Sequence, residues 1–437
     1  MKFYNRESEL ALLRQAEESS RQTAHMTFVV GRRRIGKTSL LVEAYRLSDF
    51  LYFFIAKKSE GLLCAEFAEE ITEKLGVPVF GELRTFKEVF GYLMELSKTR
   101  HFTLVIDEFQ EFRSVNASVF SEMQKIWDAA KDQSKMNLVL CGSVYSMMSR
   151  IFEHSKEPLF GRATGRLHVR GFDVATLKKI LCDHYPAYGP EDLLALFLTT
   201  GGVPRYVELL IQQKAFTRKQ MLAALTDENS LFLDEGRNVL IEEFGKDHAN
   251  YFSILSLIAS GKTSRAEIES ILEMQAGGFL DRLENEFNLI RKVRPILDKP
   301  SGRSVKYLIQ DNFLNFWFRF IYKHRSAVEA GNLGYLKKMV DRDYETYSGK
   351  VLEKYFVEKL KAEKKYNQIG TWWSRRNDHE IDIVGVDDVN KAVLIGSVKR
   401  NKAKLDLEEL KRHAEPLLEK FTGYKVILKG FSLEDVG

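Results

Sequence analysis

The octet Gly31-Arg32-Arg33-Arg34-Ile35-Gly36-Lys37-Thr38 fits G-x-x-x-x-G-K-[ST] and lies between the apolar run Met26 to Val30 and the helix-like Ser39-Leu40-Leu41-Val42-Glu43. A strand that turns through glycines into a helix is the setting that the chemistry of this signature requires. The spacing has a mechanical reason. Gly31 and Gly36 let the backbone curl, so that its N–H groups and the N-terminus of the following helix, at Thr38 and Ser39, face a polyphosphate. Lys37 reaches the terminal phosphates and Thr38 holds a magnesium ion. The bland alternative is a glycine-rich turn with an exposed lysine.

A second motif favours the phosphate reading. Phe102-Thr103-Leu104-Val105-Ile106-Asp107-Glu108-Phe109-Gln110 reads as a buried strand ending in two carboxylates. An acid at the carboxyl end of a strand beside the P-loop strand takes magnesium directly or through water, which makes Asp107 the expected metal partner of Thr38. Glu108, one residue beyond, is placed to polarise the attacking water. ATP and Mg are therefore the expected ligands, with Lys37 and Glu108 as expected catalytic residues.

At 437 residues the chain is too long for one ordinary core and implies two or three domains. Hydrophobic and charged contents of 44% and 29% are those of a soluble globular protein, and a net charge of +5 permits nucleic-acid binding without arguing for it. Cys64, Cys141 and Cys182 are scattered and form neither a metal set nor a disulfide framework. The expectation is a reduced, cytoplasmic protein with no export signal and no membrane span.

Strand-like runs at Thr27–Val30, Phe50–Ile55, Thr103–Ile106, Asn137–Cys141 and Gly165–Val169 alternate with amphipathic segments such as Leu62–Leu75 and Phe86–Lys98, the pattern of a parallel sheet covered on both faces. Ser143, after the fourth run, is a candidate γ-phosphate sensor or a helix-capping serine. Arg162, in Pro158-Leu159-Phe160-Gly161-Arg162, is either a charge-stabilising finger or a solvated loop residue. Thr200-Gly201-Gly202-Val203-Pro204-Arg205-Tyr206 predicts a tight turn into a helix, close to something that needs backbone access. It is either a turn without a ligand or a lid bringing Pro204 and Arg205 to the nucleotide.

From about Asp247 the pattern becomes three short helices, around Tyr251–Ala259, Thr263–Ile268 and Phe279–Phe287, followed by a hairpin of Leu289–Val293 and Val305–Ile309. That order predicts a winged helix. Its third helix carries Asp281, Glu284 and Glu286 against Arg282, a poor phosphate-reading surface that favours packing or protein contact.

These residues resemble the archaeal-type ATPase family of prokaryotes, P-loop proteins of the signal-transducing ATPase branch related to AAA+ proteins. The resemblance runs nearly end to end. It rests on Asn5-Arg6-Glu7 with Glu9-Leu10, the P-loop octet, Asp107-Glu108-Phe109-Gln110, Gly142-Ser143, Pro158 to Arg162, Gly201 to Tyr206 and Asp311-Asn312-Phe313-Leu314-Asn315-Phe316-Trp317-Phe318-Arg319-Phe320. The family usually has a glycine where this chain has Asn5. The resemblance implies a P-loop ATPase domain over 1–172, a helical lid over 173–244, a winged helix over 245–325 and a restriction-endonuclease-like α/β domain over 326–437.

In that last segment Glu353 on a helix, Glu380 and Asp382 on one strand, and Ser397 and Lys399 on the next follow the order of the PD-(D/E)XK nuclease core. Strand periodicity puts 380 with 382 and 397 with 399, so a paired hairpin brings Asp382 and Lys399 to one site. Ser397 stands where the nuclease pattern has a glutamate, and a neutral hydroxyl is a poor magnesium ligand. The domain is therefore expected to be degenerate, with Lys399, Arg400, Lys402, Lys404 and the pair Arg375-Arg376 left to hold a phosphate backbone. The combined expectation is an ATP-hydrolysing switch or motor coupled to a module whose partner is DNA or a protein; the alternative is an ATP-gated, metal-dependent DNA nuclease.

Overall fold

The computed structural model describes residues 3–299, 302, 304–374 and 378–437, with all eleven strands and the helices named below inside that range. The hairpin loop residues Pro300, Ser301 and Arg303, and the basic pair Arg375-Arg376, lie outside the described residues. The chain divides into two compact units, Tyr4–Gly171 and Phe172–Gly437 with Phe3.

The first unit is built on β1 (His25–Val30), β2 (Phe50–Phe54), β3 (Phe102–Asp107), β4 (Met136–Gly142) and β5 (Gly165–His168), all parallel in the order β2-β3-β4-β1-β5. The three inner strands are buried almost throughout, as parallel strands covered by helices on both faces must be. β2 instead alternates: Leu51 and Phe53 enter the core, while Tyr52 and Phe54 face the other way. On the core side Phe28, Leu104, Ile106, Leu138 and Leu140 pack with Phe67, Phe86 and Phe90 from the helices Glu60–Leu75 and Phe86–Leu96.

The strand order corrects one expectation. β3, which ends in Asp107, is not beside the P-loop strand β1; β4 lies between them. A run of strands in sequence does not dictate their spatial order, and the extra strand separates the two motifs by two interstrand spacings.

The second unit begins with helices Val174–His184, Pro190–Thr200, Pro204–Gln212, Arg218–Leu225 and Phe232–Phe244. Helices His248–Ala259, Arg265–Leu272 and Gly277–Asn285 follow, then the antiparallel pair β6 (Ile290–Val293) and β7 (Lys306–Ile309). The Asp311–Phe320 motif forms a hub. Asn312 Nδ2 donates to the Phe197 carbonyl at 3.2 Å, Trp317 Nε1 to that of Leu233 at 3.0 Å, and the Phe313 ring lies 4.3 Å from that of Tyr206. Helix Leu333–Ala362, far longer than the Val351 to Lys361 stretch read from sequence, leads to a sheet of β8 (Gln368–Trp373), β9 (Glu380–Asp387), β10 (Ala392–Lys399) and β11 (Lys425–Ser432). Its order is β11-β10-β9-β8, antiparallel except for the β10–β11 pair, whose crossover is the helix Leu407–Leu418.

Candidate functional site

Gly31, Asp107 and Ser143 all lie at the carboxyl ends of adjacent strands β1, β3 and β4, where open α/β sheets present their ligand sites. The loop after β1 is fixed by its glycines. A Cβ on Gly31 would sit 2.7 Å from the Val169 carbonyl oxygen, and Gly36 holds φ at 84° as the residue that opens helix Lys37–Tyr45. Arg34 also takes a left-handed φ of 68° inside the loop. From beneath, the guanidinium of Arg6 donates to the carbonyls of Ile35 at 3.3 Å and Arg170 at 2.8 Å and pairs with Glu9 at 2.8 Å. Lys37 is buried, and its ammonium donates to the carbonyls of Gly31 at 2.7 Å and Arg32 at 3.1 Å, so the charge is held over the concave face of its own loop.

β4 does not keep the two motifs apart at their ends. Thr38 Oγ1 donates to Asp107 Oδ2 at 3.0 Å, and the Glu108 N–H donates to Asp107 Oδ1 at 2.8 Å. The Tyr52 hydroxyl also donates to Asp107 Oδ2. Glu108 has a left-handed φ of 53°, unusual for a residue with a side chain. Its Oε2 accepts from Ser143 Oγ at 2.7 Å and from Gln110 Nε2. Ser143 therefore does not cap the next helix: Val144 is the cap residue of Tyr145–Glu153, and the serine hydroxyl is spent on Glu108. Gly142 is required here, since a Cβ would lie 2.3 Å from the buried Gln110 amide oxygen.

Arg162, in the same unit, has other partners. Arg162 forms a two-pronged ion pair with Asp128 at 2.8–3.1 Å and donates to the carbonyls of Pro158 and Phe160, so its guanidinium locks the 158–162 turn onto helix Val119–Ala130. In the second unit Gly201 and Gly202 take φ of 57° and 73°, and a Cβ on Gly202 would lie 2.1 Å from the Phe172 carbonyl oxygen. The partner demanding close backbone approach is thus Phe172, with Asn312 and Phe313 on the other side of the turn. Pro204 opens its helix and Arg205 pairs with Glu208 at 2.7 Å.

On the four-stranded sheet, the antiparallel pairing of β9 with β10 sets Asp382 beside Ser397. Asp382 Oδ2 accepts from the Val398 N–H at 2.7 Å and from Ser397 Oγ at 3.4 Å. Glu380 on the same strand pairs with Lys306 on β7 at 2.9 Å. Lys399 is exposed, and Arg400 is committed to Glu191 and Ser348 rather than left open to a phosphate. Among the described residues no group of three or more His, Cys, Asp or Glu is arranged to hold a metal ion.

Burial, reinforced by Asp382, pushes the Glu353 carboxyl up to about 8, and burial also raises Asp382. A carboxyl raised in the folded state contributes stability that is full below its ordinary value and is lost as pH rises through the folded one. Glu353→Gln should accordingly leave the melting temperature unchanged near pH 4.5 and raise it by a few degrees at pH 8.5, at about 2–4 °C per kcal/mol. Parallel melting curves for the two proteins across that window would refute the shift.

Residues 3–210 match the profile of a family described as an ATPase domain predominantly from Archaea, and residues 317–412 match one of Archaea bacterial proteins of unknown function. An uncharacterised protein of Methanocaldococcus jannaschii is 28% identical over 409 residues, covering 91% of this chain and 87% of its own length. Among solved structures, the Walker-type ATPase of Pyrococcus abyssi matches with a TM-score of 0.55 at 20% identity, over 72% of this chain and 96% of that one. Residues 3–210 are therefore similar to that ATPase-domain family, and the chain shares its fold with that solved structure. Among the described residues no helix is long and apolar enough to cross a membrane.

Proposed function

We propose that this protein is an ATP-binding and ATP-hydrolysing switch whose nucleotide state is passed to its C-terminal module. One observation carries the reading: the hydrogen-bonded chain from Thr38 through Asp107 to Glu108 and Ser143, set at adjacent strand ends beside the P-loop. The N–H groups of Gly31 to Ser39 receive the phosphates, and Lys37 exchanges its two loop carbonyls for phosphate oxygens. Glu108 accepts a proton from the attacking water, and Ser143, already on Glu108, orients that carboxylate.

Magnesium suits this donor set, which offers hard oxygens from Thr38 and Asp107 and no all-protein cage; its remaining ligands would be phosphate oxygens and water. The ion supplies charge neutralisation at the transferring phosphoryl group. Arg162 is assigned a turn-fixing role in this state, and Pro204 and Arg205 are retained as lid residues on the strength of the resemblance alone.

The test of the reading is nucleotide binding. Lys37→Ala should weaken ATP binding by about ten- to hundredfold, since hydrogen bonds to charged groups are worth about 1.5–3 kcal/mol. Calorimetry showing undiminished affinity in that variant would remove the P-loop from the function.

Within the second unit we read residues 173–244 as the lid, 245–325 as a winged helix and 326–437 as a nuclease-like module that binds without cutting. The three helices with the β6–β7 hairpin support the second of these. The third is supported by Ser397 in place of a carboxylate and by the Val398 N–H on Asp382, which together leave a metal too few ligands. DNA and a protein remain the two candidate partners of the module.

A further inference from the structure

Asp107 is the acid on which the metal reading turns, and one of its hydrogen-bond donors has no place in either sequence motif. Tyr52 lies on β2 at the edge of the sheet, in register with Val105 of β3, so its side chain shares the face that carries Asp107 one pleat further along. Its hydroxyl donates to Asp107 Oδ2, the same oxygen that accepts from Thr38. The backbone is held as well. The Tyr52 N–H, which faces the open edge of the sheet, donates to Glu70 Oε1 at 2.6 Å and ties β2 to helix Glu60–Leu75.

We propose that Tyr52 is a positioning residue for the metal site, fixing the rotamer of Asp107 so that the carboxylate meets the Thr38 hydroxyl and the ion in one arrangement. The inference rests on the ATP–magnesium reading above and deepens it. With Oδ1 on the Glu108 N–H and Oδ2 shared by two hydroxyls, Asp107 has hydrogen bonds on both oxygens and little rotational freedom. Thr38 can keep its proton on Asp107 while turning a lone pair to the metal. Removing the phenol leaves Oδ2 with a single donor and lets the carboxylate swing. Partners of this outer-shell kind usually change metal affinity by about tenfold or more when removed.

The experiment is a double-mutant cycle read by binding rather than turnover. The affinity of a non-hydrolysable ATP analogue is measured by fluorescence anisotropy in EDTA and across a magnesium titration, for wild type, Tyr52→Phe, Asp107→Asn and the double variant. Tyr52→Phe keeps the ring, and its thermal unfolding is recorded alongside to show that the fold is retained. The expected result is a magnesium midpoint raised about tenfold by Tyr52→Phe in the wild-type background, an unchanged affinity in EDTA, and no further effect of Tyr52→Phe when Asp107 is already Asn. A midpoint that does not move, or that moves equally in both backgrounds, would overturn the proposal while leaving the magnesium reading intact. A wild-type protein whose analogue affinity ignores magnesium would overturn both.

Discussion

Glu108→Gln should bind ATP as tightly as the wild type and hydrolyse it about 10²–10⁴-fold more slowly, the range spanned by loss of a positioned general base. The variant keeps the side chain's volume, and its amide oxygen can still accept from Ser143 and Gln110, so the loop after β3 retains its shape. Only the proton acceptor is lost. Phosphate release under single-turnover conditions measures the slowing, and equilibrium binding of ATP to the same preparation measures the affinity. Equal loss of affinity in Glu108→Gln and Lys37→Ala would show that Glu108 holds nucleotide rather than activating water. The left-handed backbone at Glu108 makes the outcome informative, because a strained residue is maintained only when its surroundings over-determine it.

Trp317→Ala should cost the second unit about 3–5 kcal/mol, the usual price of deleting a buried aromatic side chain. Trp317 is 1% exposed, its indole N–H donates to the Leu233 carbonyl at 3.0 Å, and its ring fills the space that a Cβ on Gly236 would otherwise reach at 2.2 Å. Removing the ring leaves both a cavity and a carbonyl without its donor. Because the chain has two compact units, denaturation should be followed with probes in each. The transition of Phe172–Gly437 should move to lower denaturant, and that of Tyr4–Gly171 should stay. A shift below about 1 kcal/mol would mean that the hub is not where the stability of this unit is concentrated.

The same hub explains why Asp311–Phe320 stands out in the sequence although it carries no reactive group. Asn312 joins helix Pro190–Thr200 to helix Leu333–Ala362 by donating to Phe197 and accepting from Lys354 at 2.7 Å, and Asp311 caps its own helix at the Leu314 N–H, also at 2.7 Å. The constraint on these residues is several simultaneous contacts, which a linear motif records without revealing.

What the sequence determined by itself is what depends on neighbours along the chain. The Gly31–Thr38 octet must be a strand-to-helix turn because its two glycines, its lysine and its hydroxyl serve one local geometry, and all five strands of the first sheet were legible as short strand-like runs. The Ser397 departure was legible too, because strand periodicity puts it on one face with Lys399; that it lies beside Asp382 was decided by the pairing of β9 with β10. What only the tertiary structure decided is what depends on strands and helices distant in sequence. The insertion of β4 between β1 and β3, the grip of Tyr52 on Asp107 across 55 residues, the pairing of Arg162 with Asp128 and the capture of Glu380 by Lys306 are set by sheet order and packing. So is the close approach of Phe172 that makes Gly202 obligatory, for a glycine's neighbour in space leaves no mark on its neighbours in sequence.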